Sequence, residues 1–169
     1  MSYTFTDHLH NYSIWTAARA VQRGWKGAKT INIKKAIEST ELKDIESNLQ
    51  TLNPSEFDKF HKLIAHKIID SFKSMGLKAS YGRAAKIIAI YIKTSIIIRD
   101  SGTSPISRLA HPPIDNILLT ELDHTFPRLG LKGIKWTQLT EEKYFNMIFK
   151  LRTLNLDAFW KTEQFWHPE

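Results

Sequence analysis

The sequence predicts an all-α fold, a compact single-domain bundle of about seven helices, and three observations point to it. Apolar residues recur at the three-and-four spacing of helix faces, and no segment alternates convincingly at a period of two. Helix-start and helix-stop residues fall between those stretches. The composition, 42% hydrophobic and 24% charged over 169 residues, is that of a globular chain long enough to bury a real core. With no internal repeat, low-complexity run or linker, one domain over residues 1–169 is expected.

The first helix is expected from about Asp7 to Gln22, with Leu9, Tyr12, Trp15, Ala18 and Ala20 on its apolar face and Gly24 ending it. Asn32 can cap a short second helix that reaches Ser39 and turns Ile33, Ala36 and Ile37 inward. Asn53-Pro54-Ser55-Glu56 is a capping residue followed by proline at the first helical position. The helix after it carries Phe57, Phe60, Leu63, Ile64, Ile68 and Phe72 at helical spacing and stops before Gly76. Residues 75–82 read as a turn. A central helix follows from about Arg83 to Ile98, and Ser101-Gly102-Thr103-Ser104-Pro105 breaks it. His111-Pro112-Pro113 introduces a helix to about Asp123. Thr140-Glu141-Glu142 opens one to about Leu151, burying Tyr144, Ile148 and Leu151. Asn155 to Phe165 forms an aromatic-rich last helix.

Charge bears on partners. The net charge is +7, and residues 1–100 hold 16 Lys/Arg against 9 Asp/Glu, whereas residues 101–169 hold 8 of each. Within 59–99 nine basic residues face one acidic residue, Asp70. Such a cluster suits a polyanion, nucleic acid first, or is simply a solvated helix face. The chain has no cysteine, which excludes disulfides and thiolate metal sites and fits a reducing, cytoplasmic setting. The start, Met1 to Asp7, lacks the pattern of a signal peptide, and the longest apolar stretch, Ile87 to Ile98, is interrupted by Lys93 and too short to span a bilayer. No Walker loop, dinucleotide fingerprint or His-Glu-x-x-His site occurs. His8/His10 and His61/His66 are not at metal-binding helical spacing, so no metal or cofactor is assigned.

The central helix is apolar nearly all round, yet it contains Lys86 and Lys93. Seven residues apart, they share nearly one face about 10 Å apart along the axis. Each can be a snorkelling lysine whose ammonium reaches water. Alternatively, a lysine partly desolvated at a cleft wall has a lowered pKa and a free amine for nucleophilic attack or a Schiff base. Neighbouring positive charge pushes the same way, and Arg83 is close in sequence to Lys86, with Lys93 as the rival nucleophile. His111-Pro112-Pro113-Ile114-Asp115 places a carboxylate in the first turn of a helix, where dipole and backbone N–H groups hold it ionised. Asp115 is then either a good helix start or a fixed negative charge facing a cleft.

A turn with Gly82, a lysine at the start of a buried helix, and a loop ending in Pro113-Ile114-Asp115 at a new helix start together resemble the helix-hairpin-helix (HhH-GPD) DNA glycosylases, above all the 8-oxoguanine DNA glycosylase fold. The resemblance implies that Lys86 attacks C1′ of a damaged nucleotide, that Asp115 assists, and that Leu77 to Arg83 stands for the hairpin. Lys78, Tyr81, Gly82, Arg83, Lys93 and His111 would contact double-stranded DNA in this family's manner, without a cofactor. Trp136, Phe159, Trp160 and Trp166 are candidates to stack on a flipped base. Along nearly its whole length the chain also resembles an uncharacterised group of bacterial proteins, through Trp15-Thr16-Ala17-Ala18-Arg19, Gly82-Arg83-Ala84-Ala85-Lys86, His111 to Asp115 and Trp160 to Trp166. A single glycine in the hairpin and the short chain leave an alternative: a DNA-binding or partner-binding protein that keeps the fold without its chemistry.

Overall fold

The fold is assembled around the isoleucine-rich stretch that Ser80 opens. The computed structural model describes residues 2–49 and 53–168, so Met1 and Glu169, the ends of the expected domain, lie outside the described residues. Among those described, every regular element is helical. In chain order these are α1 (Phe5–Val21), α2 (Thr30–Glu38), a single turn α3 (Ile45–Asn48), α4 (Pro54–Ser74), α5 (Tyr81–Ile92), the short α6 (Pro105–Leu109), α7 (Asn116–Thr125) and α8 (Glu141–Arg152). Short 3₁₀ turns at Glu41–Asp44, Pro127–Leu129, Trp136–Gln138 and Phe159–Phe165 join or follow them. No described helix is long and apolar enough to cross a membrane.

Local sequence sets the starts. Thr4 and Asp7 form a capping box at α1. Asn53 accepts from the Glu56 N–H ahead of Pro54, and Ser80 accepts from the Arg83 N–H to open α5 two residues before the expected start. α5 packs on α1 and α4 and is sealed by α8 and the Trp136–Gln138 turn. Ile87, Ile88 and Ile92 are fully buried. Burying one such side chain contributes about 2 kcal/mol, which outweighs a helix-propensity cost under about 0.7 kcal/mol for a β-branched residue. The expected helix to Ile98 is therefore present, but its end is a π turn over Lys93–Ile97.

Three expectations change. On α1 the buried face is His10, Ser13, Ile14, Ala17, Ala18 and Val21, whereas Tyr12 and Trp15 stack on each other at the surface. Small residues let α1 approach α5 closely, and the large rings are excluded. The last segment is a 3₁₀ turn over Phe159–Phe165 and not a helix from Asn155, because Asn155 takes a left-handed φ of 53° and Ala158 is extended. Gly82 does not sit in a turn; it is the second residue of α5. Its N–H donates to the Leu139 carbonyl at 3.1 Å, and a Cβ there would lie 1.9 Å from the Trp136 carbonyl oxygen. Glycine is required for that close approach of backbone to helix.

Candidate functional site

Lys86 and Asp115 meet. Lys86 Nζ donates to Asp115 Oδ2 at 3.0 Å, across 29 positions of sequence. Lys86 projects from the second turn of α5, and Asp115 is the N-cap of α7, so each is fixed by a helix. Asp115 Oδ1 accepts from the Leu118 N–H at 2.9 Å, which leaves Oδ2 free to face Lys86. Pro112 and Pro113, both buried, precede it and deliver the chain to the cap in extended form.

The pair is covered by aromatic rings. The Trp136 ring centroid lies 5.6 Å from Lys86 Nζ, and Trp166 Nε1 donates to Asp115 Oδ2 at 3.1 Å. Lys86 is only 5% exposed. Burial pushes its ammonium below the ordinary lysine value, opposed by the charge and hydrogen bond of Asp115 and by Glu163, and assisted by Lys93. Two turns along, Lys93 Nζ donates to Glu163 Oε1 at 2.6 Å and remains about one-third exposed. Lys93 is thus an ion-paired lysine at the rim, and Lys86 is the desolvated one. Chemically, a buried lysine against an oriented carboxylate can serve nucleophilic attack with local proton transfer or hold the fold as a buried ion pair.

The other expected contacts divide. Lys78 is exposed, and Arg83 lies over the Trp25 ring at 4.6 Å with its guanidinium held below the usual arginine value by burial. Tyr81, Gly82 and His111 are buried, although Tyr81 borders a cleft that also holds Lys26, Lys78 and Arg83. Tyr81 Oη pairs with His61 Nδ1 at 2.9 Å. His111 pairs with Tyr144 Oη at 3.0 Å and with Asp58 Oδ1 at 2.9 Å. Arg152 holds both oxygens of Asp58 at 2.7 Å. This buried network ties α4, α5 and α8 together. Its polar members are single residues scattered between positions 58 and 152, and nothing in their spacing marks them as partners.

Among the aromatic candidates, Trp136 and Trp166 border the Lys86–Asp115 pair. Phe159 belongs to the core, and Trp160 is committed to the loop after α5, where its Nε1 donates to the Gly102 carbonyl at 3.2 Å. Sequence reading did not find Glu163 as the partner of Lys93 or Trp166 as the second donor to Asp115. The dense aromatic and charged run Trp160 to Trp166 was the available signal.

The basic cluster at 59–99 is largely neutralised. Lys59, Lys62, Lys67, Lys86, Lys93 and Arg99 are paired with Glu56, Glu141, Glu41, Asp115, Glu163 and Glu46 respectively. Those partners lie elsewhere in the chain, so the linear charge count overstates the local field. Comparison with family models, curated proteins and solved structures gives no match, and the geometry alone carries the functional reading.

Proposed function

We propose that the protein is a DNA glycosylase with lyase capability, in which Lys86 is the nucleophile and Asp115 its proton acceptor. The observation that supports this reading is the desolvated Lys86 amine 3.0 Å from the oriented Asp115 carboxylate. The target nucleotide leaves the stack, since C1′ is out of reach within a duplex. The Lys86 nitrogen bonds to C1′ as the glycosidic bond breaks. For this Lys86 first gives a proton to Asp115 and attacks as the neutral amine; the base departs with the bonding electron pair and takes that proton from Asp115, and the new secondary ammonium then gives its own proton to the regenerated carboxylate, from which O4′ takes it as the ring opens. Opening of the sugar ring at C1′–O4′ leaves an imine between Lys86 and the sugar, from which strand cleavage by elimination follows. Entry of a nucleotide requires the Trp136 and Trp166 rings to move aside, and one of them then stacks on the flipped base.

The test is sodium borohydride trapping on duplexes carrying a panel of damaged bases. Wild type forms a covalent adduct, Lys93→Ala retains it and Lys86→Ala loses it. Equal trapping by wild type and Lys86→Ala overturns the assignment. The near-complete burial of Lys86 favours a second reading, a DNA-binding protein without the chemistry. That reading predicts salt-sensitive DNA binding unchanged by Lys86→Ala and no adduct on any lesion.

A further inference from the structure

Unpaired positive charge gathers where the linear count finds none. Lys132, Lys135, Lys143 and Lys150, with Gln138 and Asn146, line one groove of about 570 Å³. All four lysines are exposed, and none has an ion-pair partner among the described residues, in contrast to Lys59, Lys62, Lys67 and Lys161. The chain builds this groove from two devices. Gly130 and Gly133 take left-handed φ values of 59° and 77°, which fold residues 130–135 back alongside α8. Lys143, Asn146 and Lys150 follow at helical spacing on one face of α8. Lys150 Nζ lies 3.8 Å from the position a Gly130 side chain would begin at, so the ammonium rests on the glycine loop.

A second cleft of about 700 Å³ shares Gln138 and Leu139 with the first and adds Lys26, Lys78 and Arg83. These three cations also lack an ion-pair partner among the described residues. The wall common to both clefts belongs to the Trp136–Gln138 turn, whose Trp136 covers Lys86. We propose that the two clefts form one track for the phosphodiester backbone of a nucleic acid strand, crossing the turn that covers Lys86. The proposal rests on the DNA reading for its ligand class and not on the chemistry of Lys86. Lys143 and Lys150 are seven residues apart, about 10 Å along the helix. That distance spans about three rises of a duplex, at about 3.4 Å each along its axis. Lysine ammoniums are point charges that suit a run of phosphates.

The experiment is fluorescence anisotropy of the full chain with a labelled, undamaged duplex between about 50 and 200 mM salt. One variant combines Lys132→Gln, Lys135→Gln, Lys143→Gln and Lys150→Gln. A control with equal charge loss combines Lys59→Gln, Lys62→Gln, Lys67→Gln and Lys161→Gln. The groove variant is expected to flatten the dependence of log K on log salt by about 3 and to bind at least about tenfold more weakly. The control changes the slope by less than about 1, and arginine at the four groove positions restores binding. Equal losses in the two glutamine variants overturn the proposal. So does failure to bind duplex at low salt while inorganic tripolyphosphate binds, which assigns the groove to small polyanions. Retained, groove-dependent binding without borohydride trapping sinks the glycosylase chemistry and leaves the track standing.

Discussion

Lys86 and Trp166 donate to the same oxygen of Asp115, Lys86 Nζ at 3.0 Å and Trp166 Nε1 at 3.1 Å. The other oxygen caps α7. One carboxylate therefore joins α5, the start of α7 and the C-terminal segment, and a site built this way is both a potential reaction centre and a structural joint.

Asp115→Asn separates those roles. Asparagine can still cap α7, but it leaves the buried Lys86 ammonium without a counter-charge. Removing one partner of a buried pair costs about 3 kcal/mol, and replacing both with neutral groups costs far less. Asp115→Asn is expected to lose about that much in urea unfolding, and Lys86→Met/Asp115→Asn to recover most of it. A loss below about 0.5 kcal/mol, the scale of a surface pair, would show that the two side chains are not coupled.

The same burial makes a prediction in alkali. The folded-state value of Lys86 lies below the ordinary lysine value of 10.5. Between the two values the unfolded chain binds more protons than the folded one, so stability rises with pH across that window. Lys86→Met lacks this contribution. Unfolding free energies of the two proteins, compared as pH is raised from 7 toward 10.5, should diverge in favour of wild type. Parallel curves would mean that Lys86 is hydrated.

The buried network of α4, α5 and α8 gives two acid windows. His61 is held well below the ordinary histidine value by burial, and His111 is also lowered by burial despite Asp58. The unfolded chain takes up their protons first, so stability falls as pH drops below about 6.5, by up to about 1.4 kcal/mol per pH unit for each histidine. His61→Phe should remove its share of that slope, read from urea midpoints at successive pH values. Asp58 behaves oppositely in origin. Burial raises its carboxyl, but Arg152 and His111 outweigh that and hold it well below the usual range. Its contribution is complete above the ordinary aspartate value and is lost as pH falls below it. Asp58→Asn is expected to cost about 3 kcal/mol at pH 7 and progressively less below pH 4. A pH-independent cost would place the effect in packing and not in charge.

What the sequence made legible follows from range of interaction. Caps such as Asn53 and Thr140 and the apolar run of α5 are local signals, and the all-helical architecture follows from them. The one-turn helices α3 and α6 are too short to show periodicity. On α1, counting apolar residues selected Tyr12 and Trp15, whereas the interior admits Ile14, Ala17 and Ala18, because close packing on α5 selects size over hydrophobicity. The expected partnership of Lys86 and Asp115 was what the glycosylase resemblance implied; nothing local in the sequence pairs them. The neutralisation of residues 59–99 by Glu41, Glu46, Glu141 and Glu163 is a property of tertiary neighbours that no linear charge count contains.

Gly82 links that packing to the site. A side chain at position 82 would meet the Trp136 carbonyl oxygen at 1.9 Å and the Leu139 Cβ at 3.1 Å, both on the segment that covers Lys86. Backbone cannot rotate away as a side-chain tip can, so Gly82→Ala must lift the Trp136–Gln138 turn from α5. It also strains the hydrogen bond from the Gly82 N–H to the Leu139 carbonyl. Overpacking of this kind costs about 1–3 kcal/mol. Lifting the turn carries the Trp136 ring away from Lys86 and admits water to the ammonium. Gly82→Ala is therefore expected to unfold at lower urea and, while still folded, to react faster at Lys86 with an amine-specific reagent, followed by peptide mass spectrometry. Lys143, exposed in both proteins, supplies the internal reference. If stability drops but the Lys86-to-Lys143 labelling ratio stays at the wild-type level, the turn is not what shields Lys86.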